Sequence, residues 1–207
     1  MAHGQGRNPN HPRKGAAIKV EPIRDREAIE HIKLLLSHKP RDLCLFILGI
    51  NTAFRASELL SITVGQVEDA KWGDLLEIKQ PKTGKYRAVP MNKRALCAIR
   101  HWLDHYPATL RWQHPDSPLF LSQGRKTALT VSAVNRMVKN WTKETGLKGN
   151  YGSHTLRKTW GYHQRVELDT AVPILMEAFG HQSQKETLDY LGIQPHEVRD
   201  IYLKLEL

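Results

Sequence analysis

A mainly α-helical domain with one small antiparallel β-sheet (α+β) is the fold class that the sequence predicts, and three observations predict it. From Asp25 onward, apolar residues recur at helical spacing in segment after segment, each bounded by a capping or turn residue. Once only, between Asp74 and Met91, the pattern changes to two short strand-like runs around a Pro-Lys-Thr-Gly turn. The composition, 40% apolar and 25% charged over 207 residues, suits one globular domain with short arms and can bury a core without staples.

Residues 1–20 hold Arg7, Arg13, Lys14 and Lys19 among glycines, prolines and asparagines, with no acid, and predict a basic arm that either follows a polyanion or is a solvated tail. Asp25 can cap a first helix with Ile29, Ile32 and Leu36 on one face. Arg41 to Ile50 is apolar nearly all round and predicts a buried helix, followed by a short one over Ser57–Ile62. The hairpin comes next. Asn92 then caps a helix whose face is Ala95, Leu96, Ile99, Trp102 and Leu103, and Thr130 opens another with Val131, Val134, Val138 and Trp141. Ser153 can cap the helix that follows. "VPILMEAF" predicts a helix starting at Pro173 and stopped by Gly180 in the left-handed conformation. Ser183 and Glu186 form a capping box for the next helix, which Gly192 ends. After Pro195, Val198, Ile201, Tyr202 and Leu205 make one apolar stripe. The divisions expected are an arm (1–20), a main domain (21–192) and a tail helix (193–207).

Thirty-one Lys and Arg against 21 Asp and Glu give a net charge of +10, which favours a polyanionic partner, above all nucleic acid. No apolar run approaches the roughly 20 residues that cross a membrane, and no secretion signal precedes the first helix. Cys44 and Cys97 lie in apolar helical patterns and predict reduced core thiols in a cytoplasmic protein. No Asp/Glu cluster, His-Glu-x-x-His or Walker loop is present, so no metal and no cofactor are expected.

Chemistry-bearing residues stand at intervals. Arg55 follows the buried helix, with Glu58 three residues on to orient it; an ordinary salt bridge would look the same. Lys82 and Lys85 lie in the hairpin turn, where lysines are commonly just solvated. His154 and Arg157 are three apart, the spacing of one helix face and of many surface pairs. His181 and Tyr190 are nine residues apart, which on one continuous helix would set them on opposite faces; the break at Gly180 and the new cap at Ser183 allow them to meet.

The order of these pieces is more specific than any one of them. Arg in "FRASEL", Lys in "PKTGKYRAVP", His-x-x-Arg in "HTLRKTW", Gly-His in "FGHQS" and Tyr nine residues later together resemble the catalytic domain of tyrosine recombinases, the phage integrase family. The resemblance runs from about Asp25 to Tyr190. It implies that Tyr190 is a nucleophile, that Arg55 and Arg157 hold the scissile phosphate with His181 as a further donor, and that His154 accepts the tyrosine proton. The same resemblance makes Lys82 the group that protonates the 5′ oxygen as it leaves and Glu58 the support of Arg55, while Arg7, Arg13, Lys14, Lys85 and Lys158 are candidate contacts to the DNA backbone. It implies double-stranded DNA as partner, a homotetramer on DNA, a monomer or weak oligomer when free, a possible accessory DNA-binding protein, and a cytoplasmic, nucleoid-associated location. The short stretch before the first helix makes the chain similar to stand-alone members such as fimbrial phase-switch invertases, with the usual N-terminal clamp domain expected to be absent. The sequence departs from the family pattern at Ala53 (often glycine), Phe179 (usually leucine), Lys158 (frequently histidine) and the Leu-Gly that follows Tyr190.

Attack of a phenol on a phosphodiester builds negative charge on a five-coordinate phosphorus. Two guanidinium groups, planar and permanently charged, suit its non-bridging oxygens, and removing one such donor costs about a hundredfold or more. A type IB topoisomerase-like relaxing enzyme would use the same groups, and a non-catalytic DNA-binding regulator would share the fold. Every catalytic position is filled, which weighs against the regulator.

Overall fold

The computed structural model describes residues 19–79, 84, 86–107, 115–122, 127–192, 199, 202–204 and 206. Eight helices and two strands have bounds among them: α1 Arg26–Leu35, α2 Pro40–Thr52, α3 Ala56–Leu60, β1 Leu75–Lys79, β2 Tyr86–Pro90, α4 Lys93–Leu103, α5 Val131–Glu144, α6 Thr155–Val166, α7 Val172–Phe179 and α8 Gln184–Leu191. The expected class, helices around one two-stranded antiparallel sheet, is the class observed. The third helix runs Ala56–Leu60 rather than Ser57–Ile62, and α7 starts one residue before Pro173, so the ring with its fixed φ sits in the first turn.

The apolar helix α2 is the hub. It packs against both α4 and α6, and Cys44, Leu45, Phe46 and Leu48 are fully buried in it. The stripes read for α1 and α4 face this core: Ile29, Ile32 and Leu36, then Ala95, Leu96, Ile99, Trp102 and Leu103, are all buried. On α5, Val134, Val138 and Trp141 are buried but Val131 is 43% exposed, because it lies in the first turn, beyond the edge of the packed face. Cys97 likewise points to solvent from α4 while Cys44 is fully buried, so only one cysteine is a core residue. The segment 115–122 carries no periodicity, yet Leu119 and Phe120 are fully buried; Trp102 donates its indole N–H to the Leu119 carbonyl, 2.7 Å away.

The second apolar cluster is small and lies under the chain's C-terminal half. Ala53, Leu175, Phe179 and Leu191 form it, with Trp160 and Tyr190 packed against it. It forms because α6 lets α7 and α8 come close at Gly161, where an added Cβ would fall 2.4 Å from Phe179 Cζ and 2.8 Å from Leu191 Cδ2. At Gly180, φ is +64°, the left-handed conformation that ends α7 and starts the reversal into α8.

Caps follow chemistry. The Asp25, Asn92, Thr130 and Ser183 side chains accept N–H groups at the starts of α1, α4, α5 and α8, as the sequence predicts. Two details differ. Helix α6 begins after His154 rather than Ser153, and the Thr155 hydroxyl accepts the Gly152 N–H instead. The Glu186 carboxylate reaches the N–H of Gln182, not of Ser183, so the box on α8 is displaced by one residue. The arm with Arg7, Arg13 and Lys14, the turn with Lys82 and Lys85, and most of the tail lie outside the described residues. In the tail, Tyr202 and Leu203 are 77% and 60% exposed. No helix among the described residues is long and apolar enough to cross a membrane.

Candidate active site

Three arginines converge on one carboxylate. Glu58, 1% exposed at the third position of α3, accepts the Arg55 backbone N–H at 2.6 Å and the Arg55 guanidinium at 3.0 Å. Arg87 Nη1 stands 3.3 Å and Arg157 Nη1 3.9 Å from Oε2, the oxygen that also accepts the Arg55 backbone N–H. Three fixed positive charges against one negative leave two uncompensated. A low-dielectric wall surrounds them, so an arriving anion gains far more than it would at an open surface. Neither bland reading holds: Glu58 serves a network rather than one salt bridge, and Arg157, read as one of a surface pair, is 1% exposed.

The arginines are held by backbone. Arg157 donates to the carbonyls of Ala53 and Phe179, the groups left unpaired where α2 and α7 end. Its guanidinium also lies 4.8 Å from the Phe179 ring centroid. Burial brings its pKa down to about 10, which leaves it charged at neutral pH. Arg87 was not singled out by the sequence, because in a strand it reads as an ordinary exposed cation. It bridges the Ala53 carbonyl at 3.0 Å and the Ala178 carbonyl at 2.6 Å, fastening the hairpin to the pocket. The signal that could have found it is the alternation of β2, which sets Arg87 and Val89 on the inner face. Ala53 is left-handed, with φ at 54°; glycine suits that conformation, which accounts physically for the family's preference there.

Tyr190 lies in the last turn of α8 with its hydroxyl 3.5 Å from His154 Nδ1. The reversal at Gly180 does what the sequence required: the ring centroids of His181 and Tyr190 are 5.1 Å apart. His181 stacks on Phe179 and shares a 3.1 Å contact between its Nδ1 and the buried Thr187 hydroxyl. Burial, and then the neighbouring arginines, lower the pKa of His154; burial first also lowers that of His181, so both rings are neutral at pH 7. Burial pushes the Tyr190 phenol up, against the pull of Arg157. A neutral imidazole beside a phenol, next to a cluster of arginines, is an arrangement for proton transfer away from a nucleophile attacking an anionic centre. Of the predicted residues, Arg55, Glu58, His154, Arg157, Lys158, His181 and Tyr190 are brought together; Lys82 and Lys85 lie outside the described residues.

The pattern of the phage integrase family matches residues 25–197. A probable integrase/recombinase of Bacillus subtilis, YoeC, is 32% identical over 88% of this chain and 95% of its own length. Tyrosine recombinase XerA of Pyrococcus furiosus is 26% identical over 94% of this chain, and XerC of Haemophilus ducreyi 27% over 78%; the chain spans 63% and 51% of those two proteins. Among solved structures, XerA recombinase superposes with a TM-score of 0.71 at 19% identity, over 89% of this chain and 65% of that one. XerH bound to a palindromic difH substrate in a post-cleavage complex gives 0.71 at 21% identity, over 93% and 55%.

Proposed function

The chain belongs to the phage integrase family and is a tyrosine recombinase catalytic domain, and from that premise we propose that it is a site-specific recombinase that cleaves and rejoins double-stranded DNA through a 3′-phosphotyrosyl intermediate. The observation that carries the reading is the pocket of Arg55, Arg87 and Arg157 around Glu58, with the Tyr190 hydroxyl at its edge 3.5 Å from a neutral His154.

In this reading the Tyr190 oxygen attacks phosphorus and its proton passes to His154. The bond from phosphorus to the 5′ oxygen breaks, and Lys82 supplies that oxygen with a proton. Arg55, Arg157 and His181 hold the non-bridging oxygens. Arg87 fixes the hairpin that carries Lys82. The phosphotyrosyl bond keeps the energy of the broken linkage, so a 5′-hydroxyl from a second duplex reverses the step without ATP. Residues 1–20 and the cations Lys85 and Lys158 follow the phosphate backbone. Residues 193–207 dock on a neighbouring protomer in a DNA-bound tetramer.

Nicked duplexes made from the DNA flanking the protein's own coding region test the reading, since loss of the short cleaved strand traps the adduct. Wild type should give a covalent protein–DNA band and Tyr190→Phe none, with DNA binding retained. An adduct that survives in Tyr190→Phe would move the nucleophile to Tyr162 or Tyr202. Relaxation of supercoiled plasmid lacking the flanking DNA would instead point to a topoisomerase-like enzyme.

A further inference from the structure

Lys158 follows Arg157 on α6, at a position where the family pattern frequently has histidine. It does not point into open solvent: it is 8% exposed. Its ammonium lies 4.7 Å from the centroid of the Tyr190 ring, while Arg157 stands 5.9 Å from the same centroid. The two cations thus flank the phenol from adjacent positions of one helix. An ammonium within about 6 Å of an aromatic face is attracted to it even when the phenol is neutral. Once the phenol ionises, its charge is spread into the ring, and the attraction becomes that between full opposite charges.

We infer that Lys158 is a positioning residue for the nucleophile: it holds the Tyr190 ring by its face and favours the phenolate as that forms. The inference rests on Tyr190 being the nucleophile and gives Lys158 a task beyond contact with the DNA backbone. Burial alone drives the Tyr190 phenol the wrong way for a nucleophile, so a neighbouring cation has something to offset. The groups facing Tyr190 are His154 just before α6, Arg157 and Lys158 on α6, Arg55 just before α3, Glu58 on α3, Arg87 on β2 and His181. Those facing Lys158 are Tyr190, Lys19, Arg24 and Glu21. Burial, then Lys19 and Arg24, lower the Lys158 pKa, with Glu21 opposing.

The test needs no DNA site. Protein carrying tyrosine labelled with ¹³C at Cζ is titrated by NMR, with the Tyr190 resonance assigned by its absence in Tyr190→Phe. Because burial lowers the Lys158 pKa and raises that of Tyr190, the comparison is between Lys158→Arg, charged throughout the alkaline range, and Lys158→Met, close in shape and uncharged: Tyr190 should ionise about tenfold more readily, one pKa unit lower, in the arginine protein. Lys158→Gln serves as a second neutral variant should the methionine protein not fold. A position that merely fills space would give the same Tyr190 titration in the arginine protein and in the neutral variants, and that result would overturn the inference. Because the titration is read on free protein, it is independent of trapping: a wild type without a covalent adduct would end the functional reading, and with it the inference. An unshifted titration beside a wild-type adduct would end the inference alone.

Discussion

Glu58 is the residue on which the charge balance of the pocket turns. It is buried, and its carboxylate is within 4 Å of guanidinium nitrogens from three different elements. Removing one partner of such a network leaves the others buried without compensation. Glu58→Gln keeps the shape and should cost about 3 kcal/mol, the lower end for a buried pair because Arg55 is 37% exposed; thermal or urea unfolding checks it. The histidines set the pH response. The folded-state pKa values of His154, His163 and His181 all lie below 6.5, with burial the leading cause. The unfolded chain therefore binds these protons more readily than the folded one, and stability should be complete above pH 6.5 and fall as the pH drops below it. Urea unfolding at pH 7.5 and pH 5.5 measures the difference, and equal midpoints would contradict it. At this scale the sequence was informative where spacing is coupled to chemistry, as for Arg55, His154, Arg157, His181 and Tyr190. It was silent on Arg87, whose task depends on carbonyls 34 and 91 residues away.

At the scale of elements, the site depends on how closely α7 and α8 can approach α6. Gly161 sets that distance, and the Phe179 and Leu191 side chains fill the space a larger residue would need. Gly161→Val should overpack this junction, cost about 1–3 kcal/mol and displace the helix that carries Tyr190. Adduct formation should fall more than tenfold while the melting transition stays cooperative; undiminished trapping would show that α8 yields elsewhere. Helix boundaries were legible because capping side chains announce them, as at Asp25, Asn92, Thr130 and Ser183. Residues 117–121 were not, since their burial goes with long-range contacts to Trp102 on α4 and Tyr106 just after it and has no local period to betray it. The exposure of Val131 and Cys97 was hidden for the opposite reason: an apolar stripe marks a face but not where the packing stops.

At the scale of the whole molecule, two apolar clusters divide the labour. The larger is built around α2, and the smaller underlies Tyr190. Of the proposed tail, Tyr202, one residue of its predicted stripe, is 77% exposed. A chain cut after Ile193 should therefore keep its fold and its binding to a single half-site and lose the tetramer; light scattering of the protein–DNA complexes reads this out. Tetramers that persist would remove the tail from assembly, and a truncated chain that unfolds would place its contact within its own domain.

The pocket of three arginines and one glutamate has a further consequence. In the proposed reaction its donors meet oxygens on phosphorus, and phosphate oxygens are the same at every step of a duplex. A pocket built this way knows the reaction but not the address. The choice of one stretch of DNA over another has to be made by surfaces that meet base edges or sense the bend of the helix. Those surfaces can change without touching Arg55, Arg157 or Tyr190, so a single chemical centre can be carried from one target to the next.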